Sequence, residues 1–240
     1  MNKIYVNKLS RQLCLAILLV FSVSALCQRS FSSIHTGVNA ADAKIIGQGV
    51  KTFATDKKGS GTRSNGFDDG NKDHGDSWFG YEYYRYTYPS VNIKGEPVTL
   101  TALAAMPSKK AKLINNIILG CHITITDNAS TPSEYITTGS IKSDVGMLTM
   151  HAQSKSNNLA YNCLVILPDY QGYGNTRNEA HPYLAQEITA RQSVDALRYG
   201  IELYKASQKH TALIRDDWKT ICVGYSQGGS VAMACQKFME

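Results

Sequence analysis

The sequence predicts an α/β fold in which a mostly parallel sheet follows an antiparallel hairpin and is covered by helices on both faces. Three short, continuous apolar runs predict buried parallel strands: Ile117 to Cys121, Cys163 to Leu167 and Ile221 to Gly224. Amphipathic segments separate these runs, which is the pattern of helices that alternate with strands. An upstream tract of alternating tyrosines predicts the hairpin.

Composition indicates one globular domain. The 240 residues are 43% hydrophobic and 18% charged, which is too apolar for a disordered chain and too mixed for a membrane bundle. Lys and Arg number 25 and Asp and Glu number 19, and three of the basic residues fall within residues 1–27. No dense basic run is interleaved with aromatic residues, so nucleic acid is not predicted as a partner.

Residues 1–27 are interpreted as a secretory signal peptide. The segment begins with three basic residues, Lys3, Lys8 and Arg11. An apolar run from Leu13 to Leu26 follows, and it is too short to span a bilayer comfortably. Cleavage is expected after Ala25 or Cys27, and the protein is therefore expected to be secreted or periplasmic. A lipid anchor on Cys27 is a less favoured alternative, because Leu26 stands where a small residue is usual; an uncleaved anchor helix is another.

Residues 28–76 are interpreted as a polar linker or loop. The tract from Gly59 to Asp76 is rich in Gly and Asp and has almost nothing to bury. Part of it imitates the start of a calcium loop, with acidic or amide side chains at Asp69, Asn71 and Asp73. His74 replaces the glycine of the sharp turn and Gly80 replaces the bidentate glutamate, so a solvated loop is favoured over a metal site.

The folded domain is expected to span residues 77–240. Aromatic residues from Trp78 to Tyr88 partly alternate, and a turn near Gly95 leads to an apolar partner strand from Pro97 to Met106. The tyrosines are also compatible with a carbohydrate-binding platform, but packing in a half-buried strand is favoured because aromatic side chains suit pleated surfaces.

Helices are expected between the later strands. Four apolar residues recur at helical spacing and predict a crossover helix from about Ala185 to Ala206: Val194, Leu197, Ile201 and Tyr204. A weaker helix is expected around Val145 to Ser156, between the first two apolar runs.

The four cysteines beyond the leader are expected to be free, buried thiols: Cys121, Cys163, Cys222 and Cys235. The first three lie in apolar runs, where cysteine behaves as a small hydrophobic residue. No C-x-x-C pair and no Cys/His ligand spacing occurs, so neither a zinc site nor any other metal or organic cofactor is predicted.

The most informative motif is Gly224-Tyr225-Ser226-Gln227-Gly228, which follows an apolar strand and precedes an Ala-rich helical stretch. A serine hydroxyl is a poor nucleophile, so it must project from a sharp strand-to-helix turn beside a base and free helix N–H groups. Gly224 and Gly228 remove side chains that would collide across such a turn. The motif therefore predicts a nucleophile elbow with Ser226 as the catalytic residue; the alternative is a buried turn serine.

A second cluster supports this interpretation. Residues 168–174 (Pro-Asp-Tyr-Gln-Gly-Tyr-Gly) follow the second strand, and residues 181–184 (His-Pro-Tyr-Leu) precede the crossover helix. Together with the elbow, these motifs resemble the secretory lipase group of the α/β-hydrolase superfamily, over about Tyr81 to Glu240. The resemblance implies that Asp169 braces its loop and takes no part in the catalytic triad.

An acyl-transfer enzyme needs two N–H donors for the oxyanion. The backbone N–H of Gln227, directly after the nucleophile, is expected to be one. The resemblance implies that the other is the backbone N–H of Asp127, in the loop after the first apolar run, with Thr124 as the second choice. His122 in the same loop is interpreted as a residue that orders it.

The sequence departs from the superfamily in its triad. The superfamily supplies Ser, then Asp or Glu, then His, but no His or Asp follows Ser226. The expectation is that the α/β-hydrolase fold is truncated after the elbow helix, as in the N-terminal part of a longer enzyme or a truncated gene product. The triad acid and base then lie beyond Glu240 or are absent.

The predicted function is an exported serine hydrolase that cleaves carboxylic esters through an acyl-enzyme on Ser226. Its expected partner is a small-molecule or lipid ester substrate, and contact with a membrane is expected only through the leader or a lipid anchor. Two alternatives stay open: a peptidase or amide hydrolase of the same fold, and a non-catalytic exported binding protein on this scaffold.

Overall fold

The computed structural model describes residues 31–32, 37–51, 81–107, 113–138, 163–207 and 213–240. Its strands are β1 (Phe31–Ser32), β2 (Lys44–Lys51), β3 (Tyr81–Val91), β4 (Pro97–Pro107), β5 (Leu113–Cys121), β6 (Cys163–Pro168) and β7 (Leu213–Gly224). Its α-helices are α1 (Tyr135–Thr138), α2 (Gln186–Ala206) and α3 (Gln227–Met239). Short 3-10 helices cover Ala40–Asp42, Asn128–Ser130, Pro132–Glu134 and Gly174–Thr176.

The seven strands of the described ranges form one sheet in the order β1-β7-β5-β6-β4-β3-β2. β5 pairs in parallel with β6 on one side and with β7 on the other. The remaining pairings are antiparallel. The predicted α/β class is confirmed, but this part of the sheet is mixed rather than mostly parallel.

The predicted hairpin is formed by β3 and β4. The two strands pair in continuous register from Tyr81 with Pro107 to Val91 with Pro97, and the turn between them contains Gly95 with a φ of 81°. Four tyrosines of β3 are buried: Tyr83, Tyr84, Tyr86 and Tyr88. The tyrosines pack within the fold, as favoured from the sequence, and do not form an exposed platform.

Apolar side chains fill both faces of the sheet. On one face, alternate residues of β4 and β6, such as Ala104 and Ile166, form the larger core with α2 and α3. On the other face, their neighbours Leu103 and Val165 form a smaller core with Tyr135 of α1. Alternate residues enter opposite cores because successive side chains of a pleated strand point to opposite faces. Helices α2 and α3 on one face and α1 on the other confirm the expected helices on both faces.

Helix α2 packs its buried stripe against the sheet. All four residues that predicted it at helical spacing are buried, and the helix begins within one residue of the expected start. The hydroxyl of Tyr86 in β3 donates to the carbonyl oxygen of Ala196 in α2 at 2.7 Å. The hairpin and the helix are therefore joined by a buried hydrogen bond as well as by apolar contact.

Part of the predicted linker is folded. β1 pairs with residues 219–220 of β7, and β2 pairs with β3. The interpretation of residues 28–76 as linker or loop is therefore wrong for these two segments. β2 adds to the sheet through its backbone while Ile45 and Ile46 stay exposed, so the segment lacks the apolar alternation by which a strand is recognised.

Three sequence predictions fall outside the described residues: the signal peptide at 1–27, the polar tract at 59–76 and the helix around 145–156. The four described cysteines are free thiols, of which three are buried and Cys222 is half-buried.

Candidate active site

The candidate site lies where the three parallel strands end. Because β5, β6 and β7 run in the same direction, His122, Asp169 and Tyr225 follow their carboxyl ends at one edge of the sheet. From β5 the chain passes first to β6 on one side and then to β7 on the other. Open parallel sheets bind ligands at such a reversal of strand order.

Ser226 occupies the turn between β7 and α3. Its φ of 55° and ψ of −121° place it in a backbone region that non-glycine residues rarely adopt. Such a conformation costs about 1–3 kcal/mol and persists only where surrounding contacts enforce it. The side chain is exposed, so Ser226 is not the buried turn serine that the sequence left as an alternative.

The Ser226 hydroxyl is not used to cap helix α3. Ser226 stands at the N-cap position, but no side-chain hydrogen bond closes the cap. Among the described residues, no histidine nitrogen or carboxylate forms a hydrogen bond with this hydroxyl. The hydroxyl group is therefore presented to solvent.

Strained backbone is concentrated at this edge of the sheet. Within the described ranges, three non-glycine residues have positive φ: Tyr170, Leu184 and Ser226. Each lies in a segment that follows β6 or β7. Strain of this kind is typical of functional sites, where geometry is imposed by packing.

The two elbow glycines are required by close backbone contacts. A Cβ atom on Gly224 would lie 2.1 Å from the carbonyl oxygen of Gly228, and one on Gly228 would lie 2.1 Å from that of Cys121. Gly229 differs, because a Cβ there would lie 3.4 Å from its nearest neighbour. Gly224 and Gly228 therefore let the first turn of α3 lie directly against the ends of β7 and β5.

Gln227 is the first residue of α3, and it is buried with 5% of its surface exposed. The first N–H groups of a helix have no partner within the helix, and no described hydrogen bond uses the Gln227 backbone N–H. This group, directly after Ser226, is therefore free to bind negative charge at the positive end of the helix dipole.

The Gln227 side chain is hydrogen-bonded to His181, a histidine for which the sequence predicted no role. Gln227 Nε2 lies 2.8 Å from His181 Nε2, and His181 Nδ1 lies 2.7 Å from the carbonyl oxygen of Gln171. These contacts connect the loop after β6 to the elbow. The sequence position alone is a weak signal, since His181 lies in the connection between the Gly- and Tyr-containing turn at 170–174 and the start of α2.

His122 holds two loops together. Its Nδ1 lies 2.6 Å from the carbonyl oxygen of Ile123 and its Nε2 lies 3.0 Å from that of Asp169. The ring is buried and stacks on Tyr170 with ring centroids 4.0 Å apart. These contacts agree with the interpretation of His122 as a residue that orders its loop.

Asp127 uses its side chain to cap a short helix. Its Oδ1 accepts from both the backbone N–H and the hydroxyl of Ser130, each at 2.8 Å. The role expected of Asp127 involves only its backbone N–H and stays a prediction. Thr124, the second choice, is exposed, and its hydroxyl lies 3.3 Å from that of Tyr183.

Asp169 is buried and braces its surroundings. Its Oδ1 accepts from the backbone N–H of Ser133 at 2.8 Å, and its own N–H donates to the Thr101 carbonyl at 3.1 Å. Within the described residues, Oδ2 has no hydrogen-bond partner. Burial raises the pKa of Asp169 from 3.8 to about 7, although the Ser133 hydrogen bonds and the charge of Arg85 oppose the shift.

The described residues show neither a metal-binding cluster nor a membrane-spanning helix. They contain no group of three or more His, Cys, Asp or Glu side chains arranged to hold a metal ion. None of their helices is long and apolar enough to cross a bilayer.

Two solved structures share this architecture. A Legionella pneumophila protein assigned as a hydrolase has a TM-score of 0.52 and 19% sequence identity, over 70% of this chain and 41% of its own. The rice cell wall degrading esterase LipA of Xanthomonas oryzae has a TM-score of 0.51 and 23% identity, over 67% of this chain and 38% of its own. The chain has an α/β-hydrolase-like fold.

The shared region spans about two fifths of each of these structures. The sequence matches no protein-family model and no curated protein. At these identities the similarity establishes the fold, and chemistry has to be argued from the residues of the site.

Proposed function

We propose that this chain carries the nucleophile of an exported serine hydrolase that cleaves carboxylic esters. The observation that carries the proposal is the conformation of Ser226, whose exposed hydroxyl is held on a strained turn at the start of a helix. The names of the two similar structures, an esterase and a hydrolase, agree with it.

In the proposed reaction, the Ser226 oxygen attacks the ester carbonyl carbon and a general base accepts its proton. The tetrahedral intermediate then collapses, the carbon–oxygen bond to the alcohol breaks, and the alcohol leaves with a proton. Water hydrolyses the acyl-enzyme by the same two steps and releases the acid and the free serine. We assign no base, because the two histidines of the described residues, His122 and His181, are both engaged with other groups.

The oxyanion is proposed to accept from the free backbone N–H of Gln227. The second donor is proposed to be the backbone N–H of Asp127, as the resemblance implies, with Thr124 as the alternative. Donors of this kind stabilise charge that develops only in the transition state, so they raise kcat more than they lower KM.

Export is proposed from the basic and apolar leader at residues 1–27. The mass of the protein recovered outside the cytoplasm tests it: cleavage after Ala25 or Cys27 supports a signal peptide. An intact N-terminus on a protein retained in the cytoplasm contradicts it.

Hydrolysis of p-nitrophenyl acetate and butyrate by the full-length protein tests the activity. Ser226→Ala is expected to lower kcat by at least about a thousandfold, because loss of a nucleophile removes the acyl-enzyme route. Ser207→Ala, at the far end of α2, is the matched control and is expected to keep the native rate. Equal rates in the native protein and Ser226→Ala contradict the proposal.

A further inference from the structure

His181 lies in the loop between β6 and α2, and the fold fixes its position closely. Gly172 has a φ of 93°, and a Cβ atom there would lie 2.7 Å from the Cα of His181. The imidazole packs near two tyrosine rings of the same loop, with centroids 6.1 Å away for Tyr170 and 5.1 Å for Tyr173. Backbone and ring contacts therefore hold the imidazole from two sides.

The hydrogen bonds of His181 select one tautomer. A carbonyl oxygen only accepts, so the contact with Gln171 requires a proton on His181 Nδ1. The amide nitrogen of Gln227 only donates, so His181 Nε2 must accept through its lone pair. The ring therefore connects the loop after β6 to Gln227 through two directional hydrogen bonds.

The residue held by this contact is the one beside Ser226. The Gln227 side chain is buried, and its amide is bound at its far end to the ring while its backbone N–H lies at the start of α3. Fixing both ends of the residue limits how far the first turn of the helix can shift. A misplacement of about 1 Å in a catalytic group costs up to about a hundredfold in rate.

We propose that His181 is a positioning residue that holds Gln227, and with it the oxyanion-binding N–H, through the Gln227 side-chain amide; this rests on the proposed function. In this arrangement His181 acts through Gln227. The Gln227 side-chain amide then positions the residue, while the Gln227 backbone N–H binds the oxyanion.

The first test is spectroscopic. Nitrogen-15 NMR of the imidazole in the full-length protein is expected to show a protonated Nδ1 and an unprotonated Nε2 at neutral pH. In Gln227→Met, which keeps the side-chain length and the backbone N–H but lacks the amide donor, the Nε2 resonance is expected to shift. A protonated Nε2 in the native protein overturns the proposal.

The second test is kinetic, with p-nitrophenyl butyrate as substrate. Gln227→Met and His181→Asn are each expected to lower kcat by about tenfold or more and to change KM little, because the oxyanion forms only in the transition state. The double variant is expected to be no slower than the slower single variant. Fully multiplicative losses overturn the proposal, because they show that the two residues act independently.

Two further variants distinguish loss of the contact between His181 and Gln227 from a general disturbance of the loop. His181→Gln offers an amide near the position of Nε2 and is expected to recover part of the rate lost in His181→Asn. Glu179→Gln changes the same loop by weakening the hydrogen bond that Gln171 Nε2 donates to Glu179 Oε2 at 2.8 Å, and it is expected to keep kcat within about twofold. An equal loss of kcat in Glu179→Gln assigns the effect to the loop and overturns the proposal.

Failure of the proposed function gives a different result. A native protein that hydrolyses no ester overturns both proposals together. An active native enzyme in which Gln227→Met keeps its full kcat overturns only the positioning role of His181.

Discussion

The hairpin of β3 and β4 and the elbow between β7 and α3 are held in different ways. In the hairpin, eleven residue pairs follow in unbroken register and alternate tyrosines are buried against α2. At the elbow, a strained serine stands between two glycines whose neighbours are backbone atoms of other segments. The hairpin is specified by a repeated local pattern, whereas the elbow is specified by close contacts between distant parts of the chain.

The two turns therefore differ in how well they are expected to tolerate a larger side chain. A turn such as the one at Gly95 has open space around it, since no atom lies within 4 Å of a Cβ built there. The elbow has no such space, and its backbone is held against the end of β5 at Cys121. Contacts that restrict a turn so tightly can keep a residue in a conformation that an isolated peptide would leave.

The largest loss of stability is expected from substitution of a glycine at the elbow. Gly228→Ala is expected to destabilise the protein by about 4 kcal/mol, because the new Cβ meets the Cys121 carbonyl oxygen at 2.1 Å and backbone must move. Gly95→Ala is expected to cost only about 1–2 kcal/mol, from its positive φ alone. Urea unfolding of the full-length protein measures both.

Gly229→Ala is the control within the elbow itself. Its Cβ would meet only an ordinary contact at 3.4 Å, and alanine suits a helix better than glycine. Its stability is expected to equal or slightly exceed that of the native protein. Similar losses in Gly228→Ala and Gly229→Ala would show that the elbow is not closely packed against β5.

The sequence specified the hairpin, β6, α2 and the position of Ser226, because each depends on a pattern within a few residues. It missed β2, whose exposed isoleucines and register shift between Ile45 and Gly47 leave no alternation to recognise. It also missed the first half of β7, where Arg215, Asp216 and Asp217 interrupt any apolar run. Backbone pairing with a neighbour stabilises such segments, and a neighbour is not visible in local sequence.

In the candidate site too, local motifs could be predicted from the sequence and contacts between distant residues could not. The Gly224 and Gly228 spacing predicted close contact across the elbow because it is a local motif. The contact between His181 and Gln227 joins residues 46 positions apart. Neither local sequence indicates that these two side chains form a hydrogen bond. The sequence therefore shows His181 only as part of a motif that carries the resemblance, with no predicted role.

The next expected effect concerns Asp169, which lies between the two regions and is hydrogen-bonded to Thr101 of β4. Its pKa is 3.8 in an ordinary environment and about 7 when folded. The folded state therefore binds more protons than the unfolded state, so native stability falls as pH rises from about 4 to about 7. Asp169→Asn lacks this fall and keeps an oxygen acceptor for the Ser133 N–H.

Relative to the native protein, Asp169→Asn is expected to gain about 2 kcal/mol or more between pH 4 and pH 8, since each unit of pKa corresponds to about 1.4 kcal/mol. Urea unfolding at the two values of pH measures the gain. A stability difference that does not change with pH would show that the carboxyl titrates normally, and that its bracing role carries no cost from burial.

Covalent trapping shows directly whether the strained serine at the elbow is the nucleophile. The full-length protein is treated with a fluorophosphonate, which transfers its phosphonyl group to an activated serine and releases fluoride, and the modified peptide is located by mass spectrometry. A single adduct is expected on Ser226, absent from Ser226→Ala and retained in Ser207→Ala. An adduct on another serine, or an unmodified Ser226 in a protein that hydrolyses esters, would contradict this expectation.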